Sequence, residues 1–284
     1  SYVKNKVLKL PDNGRDKNRI GGITLADGTA FGGTAEGEPL YRYYGYVVDH
    51  IIETQEQADN AMYDSSAKGY RPSDGKNIAG RKEIGDYEWK NREGSQTKDG
   101  KDYIDSQDQF LLGYTVPHST GGLNNNFTYK NFTLNIFVDW ALGHSINNNS
   151  EMRYFMNTFA NNYTLIDEVK QCWKQPGDNT KYARFTANDP DDGNANFSRT
   201  SNVFNYKGDY LCIREISLQY NVPTNKLTKL GIQNLAITLA GNNLHYFTAV
   251  KGVSPEVGAS TTYNKDYYNY PPIRKYSVGV KVTF

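Results

Sequence analysis

Cysteine is almost missing from this sequence. Only Cys172 and Cys212 occur in 284 residues, and they show no metal-binding spacing. A disulfide between them needs an oxidising compartment and suitable geometry, and the sequence fixes neither. Charge of one sign is lacking too. The 32 basic and 31 acidic side chains leave a net charge of +1, which argues against nucleic acid as a partner. No run approaches the ~20 apolar residues of a membrane helix. That excludes a helical span but not a β-barrel, whose strands need only about 9–11 residues of alternating character. Catalytic signatures are also missing. His50, His118, His144 and His245 are scattered, with no partner at i+4 and no nearby cysteine. No serine elbow or phosphate loop occurs, so no enzyme is expected. The opening SYVKNKVLKL has neither an initiator Met nor an apolar signal core. It reads as a cut end, of a mature chain or of a fragment.

Tyrosine (23) and glycine (26) are abundant, Asn is plentiful, and mean hydropathy is −0.73. Such a composition suits an all-β chain with long polar loops. Several segments alternate at period two. In the last, Tyr276, Val278, Val280, Val282 and Phe284 fall on one face, and Ser277, Gly279, Lys281 and Thr283 on the other. The apolar face points to a core in a soluble sandwich and to lipid in a barrel. Upstream, GGLNNNFTYKNFTLNIFVDWALG reads as a hairpin turning at Lys130-Asn131. Its second arm aligns Phe132, Leu134, Ile136, Val138 and Trp140, which looks like a lipid face ending in an interfacial aromatic. Two more strands align Ile216, Leu218 and Tyr220, and Leu235, Ile237 and Leu239. With residues 1–9 and the tyrosine-rich 41–54, seven main strands are expected.

The connections between them are unequal. Counting back from the C-terminus, 248–273 is long, 222–232 short, 143–208 long, 130–131 short and 54–118 long. Outer-membrane barrels show this rule, with short turns on the periplasmic side and long loops outside. The stretch 11–40 should be short and is not, so it breaks the pattern. Within 143–208, NSEMRYFMNTFANNYTLIDEVKQCWKQ has helical spacing through Tyr154, Phe155, Phe159 and Leu165 or Ile166, with Ser150 as cap. It is expected to pack on its own loop.

These segments carry a resemblance. PLYRYYGYVVDHI, GDYEWKN, KDGKDYIDSQD, YLCIREISLQYNVP, LGIQNLAITLAGNNLHYFT, KGVSPEV and YPPIRKYSVGVKVTF, in this order, resemble the C-terminal part of SusC/RagA-type TonB-dependent outer-membrane transporters of Bacteroidetes. The resemblance implies a 22-stranded barrel of which residues 1–284 supply about the last seven strands, without the plug domain and N-terminal strands. It implies import of oligosaccharides or oligopeptides across the bacterial outer membrane, powered by the TonB complex. Its expected partners are the rest of the barrel and plug, a SusD-like lid lipoprotein and outer-membrane lipid. Seven strands cannot close around a transporter lumen, so the chain is expected to be completed by another segment. The terminal Tyr276, Val278, Val280, Val282 and Phe284 resemble the signal read by the barrel-assembly machinery.

The acidic cluster Asp99, Asp102, Asp105 and Asp108 resembles a calcium loop of the family. It departs from it where Lys101 intrudes and where Thr97 and Lys98 replace ligand types. No metal site is assigned, and Ca²⁺ stays the one cofactor candidate beside a solvated polar turn. Outer-loop aromatics such as Trp89 are candidates for stacking on substrate; the bland alternative is that they hold the loops together. Two other functions stay open: a secreted all-β carbohydrate-binding module with a closed sandwich core, and a passive porin-like pore.

Overall fold

The computed structural model describes residues 1–64, 82–92, 97–98, 101–156, 165–186, 195–223, 225, 227, 231–256 and 272–284. Its framework is one antiparallel sheet of five long strands: β1 (Ser119–Tyr129), β2 (Phe132–Leu142), β3 (Tyr210–Asn221), β4 (Asn234–Thr248) and β5 (Lys275–Thr283). They lie in chain order, each strand bonded to the next. The hairpin turn is the expected Lys130-Asn131, with Lys130 in the left-handed region at φ 52°. Short connections (130–131, 222–233) sit at one end of the sheet and long ones (143–209, 249–274) at the other.

Among the described residues, five of the seven expected wall strands form the sheet. Residues 41–54 do not join the sheet. They form two short strands, Arg42–Gly45 paired with Phe110–Tyr114, and Val48–Ile51 paired with Tyr87–Trp89. Their apolar residues are consumed by a body on the long-connection side, so the alternation there never had to face a bilayer. Residues 1–9 touch the sheet only at the Tyr2–Ser119 bridge. This change removes the one misfit in the loop pattern. The described residues between 4 and 118 belong to the long-connection end, so 11–40 no longer has to be a short turn.

Register sorts the side chains into two faces. Across the sheet, Tyr129, Phe132, Tyr220, Ile237 and Val280 form one row, and Phe127, Leu134, Leu218, Leu239 and Val278 the next. Further rows run through Ile136, Ile216 and Tyr276, through Leu123, Val138 and Ile213, and through Trp140, Leu211 and Phe247. At the free edge Val278 is 72% exposed, and even interior Leu239 is 51% exposed. Among the described residues no second sheet covers this face, as a closed sandwich core would require. The opposite face carries Thr128, Thr133, Gln219 and Thr238, then Asn126, Asn135, Ser217 and Ser277.

The long connections fold together. Tyr87, Trp89, Ile104, Phe155, Tyr182, Phe197 and Phe204 share one buried cluster, contributed by 4–118 and 143–209. Tyr87 donates its backbone N–H to Asn196 Oδ1 at 2.9 Å and its hydroxyl to the Lys181 carbonyl at 2.6 Å. Helix α1 (Gln55–Asn60) starts on a Thr54–Gln57 capping box. Helix α2 (Asn149–Met156) lies where helical spacing predicted. Its cap is Asn148 rather than Ser150: Asn148 Oδ1 accepts from Glu151 N at 3.0 Å. Phe155 drives into the cluster, so the helix packs on its own loop region as expected. Phe159 lies outside the described residues.

Candidate functional site

The polar face holds one concentrated group of charges. Arg214 donates from Nε and Nη2 to the two oxygens of Asp139, both at 2.8 Å. Its Nη1 donates to Asn243 Oδ1 at 2.9 Å and to the Tyr246 hydroxyl at 3.1 Å, and its Nη2 to Glu256. Tyr246 donates in turn to Glu256 at 2.9 Å. This fork-to-carboxylate geometry uses what guanidinium offers and ammonium does not.

The group sits on a graded bulge. Between the row Ile136–Ile216–Gly241 and the row Val138–Ile213–His245, one residue intervenes in β2, two in β3 and three in β4. The extra residues kink the strands, Asn243 takes φ 52°, and Arg214 is turned to the polar side. The sequence carries a trace of this. The apolar series Leu211, Ile213 slips phase by one to Ile216, Leu218, Tyr220. Glu256 ties the start of the connection 249–274 to the wall.

A second feature is a cleft of about 700 Å³ in the long-connection body, bordered by Asp49, His50, Glu56, Gln57, Lys90 and Phe110. Trp89 also borders it but is 1% exposed, wedged between Tyr87 and Tyr46 with ring centroids at 5.4 and 6.0 Å. Its ring is therefore a packing element, not a free stacking platform. The acidic cluster is drawn into local backbone bonding. Asp108 accepts from Arg92 N at 3.0 Å and Asp105 N at 2.9 Å, Asp105 caps the turn at Gln107 N, and Asp102 accepts from Asn91 at 2.7 Å. Burial pushes the Asp108 carboxyl above its usual range. Asp99 lies outside the described residues.

The histidines do not converge. His50 pairs with Asp49 at 2.8 Å, His118 packs at a tilt against Tyr114, His144 is buried and His245 meets Phe247 edge to face. Cys172 and Cys212 are both buried and free, and burial pushes the Cys172 thiol up to about 12. Phe132, Leu134, Ile136, Val138 and Trp140 share the apolar side with Tyr276, Val278, Val280 and Val282. Phe284 follows the last paired residue and is exposed. Sequence reading missed Arg214, Asp139 and Glu256.

Comparison with known proteins agrees with this geometry. The chain is 26% identical over its whole length to TonB-dependent receptor P3 of Formosa agariphila, covering 26% of that protein. It is 26% identical to receptor P39 of the same organism, covering 28% of it. The chain thus spans about a quarter of the length of the curated relatives it matches. Among solved structures, the RagAB peptide importer in its open-open state matches 100% of this chain and 26% of its own, with TM-score 0.57 and 16% identity. The RagAB peptide transporter matches 88% and 24%, with TM-score 0.55 and 17% identity. No family model matches. These relatives are receptors and transporters rather than enzymes, and the fold is that of an outer-membrane barrel segment. The SusC/RagA-type resemblance read from the sequence therefore holds.

Proposed function

We propose that this chain forms part of the wall and outer body of a TonB-dependent importer in the bacterial outer membrane. Its apolar face meets lipid, its polar face lines the lumen, the long connections face outward and the C-terminus lies at the periplasmic edge. The observation that carries this reading is the two-faced sheet: five strands, one uncovered apolar face and one polar face with a bonded charge cluster. Lipid is the solvent that makes such a face stable. The remainder of the barrel and its plug complete the wall, because an open edge is costly in lipid. A SusD-like lipoprotein closes over the long connections, and the TonB complex supplies energy through the plug. The cargo is an oligopeptide or oligosaccharide; the structural neighbour being a peptide importer favours the former.

The test is uptake and assembly in the same cells. The protein should fractionate with the outer membrane, migrate faster unheated than boiled, and support uptake only when TonB is present. Conductance without TonB dependence would return the passive pore, and a soluble monomer would overturn the reading.

A further inference from the structure

Where the apolar face ends, a pocket of about 360 Å³ begins, lined by Tyr2, Lys4, Lys6, Pro39, Tyr114 and His118. Two backbone bonds fix its position: Val3 N to His118 O at 2.7 Å and Thr120 N to Ser1 O at 2.9 Å. Tyr2 pairs with Ser119, which pairs with Leu142 on the apolar face. Directly paired residues share a face, so Tyr2 continues that face and is 74% exposed. Trp140 Nε1 lies 3.4 Å from Ser119 Oγ, which puts its polar edge at the same level. Tyr and Trp at such a boundary mark the water–lipid interface. The lysines therefore stand one step beyond it.

Among the described residues their charge meets no acidic partner in an ion pair. Residues 1–9 hold three lysines and no acid. Nearby Lys17, Arg19 and Arg42 are all bound to Glu38, whereas Lys4 and Lys6 are exposed and make no ion pair among the described residues. The pocket also contains the Tyr114–His118 ring pair, centroids 4.6 Å apart. We infer that this pocket seats the phosphate-bearing headgroup of an outer-leaflet lipid. Lys4 and Lys6 hold the phosphate, and the acyl chains run down the apolar face past Tyr2. Lysine is a compact point charge suited to phosphate. A free anion would have no use for Tyr2, whose exposed ring joins the pocket to the lipid face. The inference rests on the outer-membrane reading above.

The complex purified in mild detergent should retain phosphorylated glycolipid, counted by native mass spectrometry. Lys4→Gln with Lys6→Gln should weaken retention about thirty-fold, while Lys170→Gln with Lys174→Gln leaves it unchanged. A photoreactive benzoylphenylalanine in place of Pro39 should capture the same lipid in intact cells, a readout that keeps both lysines. Equal retention in the double glutamine variant, or no lipid captured at position 39, overturns the inference. So does inorganic phosphate binding as tightly as the lipid. If the protein is absent from the outer membrane, the function proposed above falls; if it is present and heat-modifiable but lipid retention ignores Lys4 and Lys6, only this inference falls.

Discussion

Arg214 shows how much one side chain can organise. Its guanidinium is 25% exposed and joins three strands to the segment that follows β4. Arg214→Ala leaves the partly buried carboxylates of Asp139 and Glu256 uncompensated, which costs about 3 kcal/mol when desolvation is substantial. The temperature at which the folded band converts to the unfolded one should fall, and Arg214→Lys should recover only part of the loss, because an ammonium cannot span both carboxylates. A second residue-scale device is Glu38. Burial pushes its carboxyl up, but hydrogen bonds from Arg19 and Lys17 and the charge of Arg42 outweigh it and hold it at about 2, against an ordinary 4.5. A depressed carboxyl stabilises the fold above the unfolded value and loses that effect as pH falls. Protection of the Ile20 and Thr34 amides, which bond across the neighbouring turn, should therefore weaken between about pH 4.5 and 2. Hydrogen exchange corrected for intrinsic rate reads this, and Glu38→Gln should flatten the dependence.

At the scale of elements, strand β5 separates face from register. Val280 and Lys281 are neighbours on opposite faces. Val280→Arg puts a charge on the apolar side and should cost about 2–4 kcal/mol near mid-bilayer, while Lys281→Gln should stay within about 0.5 kcal/mol. The yield of heat-modifiable protein measures both. Removal of Phe284 should lower assembled barrel more than transport per assembled molecule; unchanged assembly would count against a role in barrel assembly. In the hairpin, Gly121 lies under the Trp140 ring, where any Cβ would clash with it. Gly121→Val should displace the indole and shift its fluorescence, with the hairpin turn intact.

For the whole molecule, the decisive property is sidedness. A cysteine placed at Lys130, in the short turn, and another at Asn179, in the long-connection body, report opposite ends of the sheet. A membrane-impermeant maleimide added to intact cells should label the Asn179→Cys variant at least tenfold more than Lys130→Cys. Reversed labelling would invert the topology and leave the two-faced sheet standing. The long connections form a body with its own aromatic core, so they present a shaped outer surface rather than independent tethers.

Period-two alternation made the wall legible. It gave β2 through β5, the Lys130-Asn131 turn and the identity of the apolar face, because each residue of a regular strand has only two faces to choose between. The long–short order of connections gave the ends of the sheet for the same reason. What alternation could not say is which solvent an apolar stripe meets. Residues 41–54 alternate as convincingly as a wall strand, yet only tertiary packing gives them to the aromatic core with Tyr87 and Trp89. Trp89 looked available for ligand for the same reason: burial depends on partners far away in sequence. The Arg214 cluster and the interfacial pocket are likewise products of the fold. Each joins residues 29 to 117 positions apart, and local spacing holds no information about such distances.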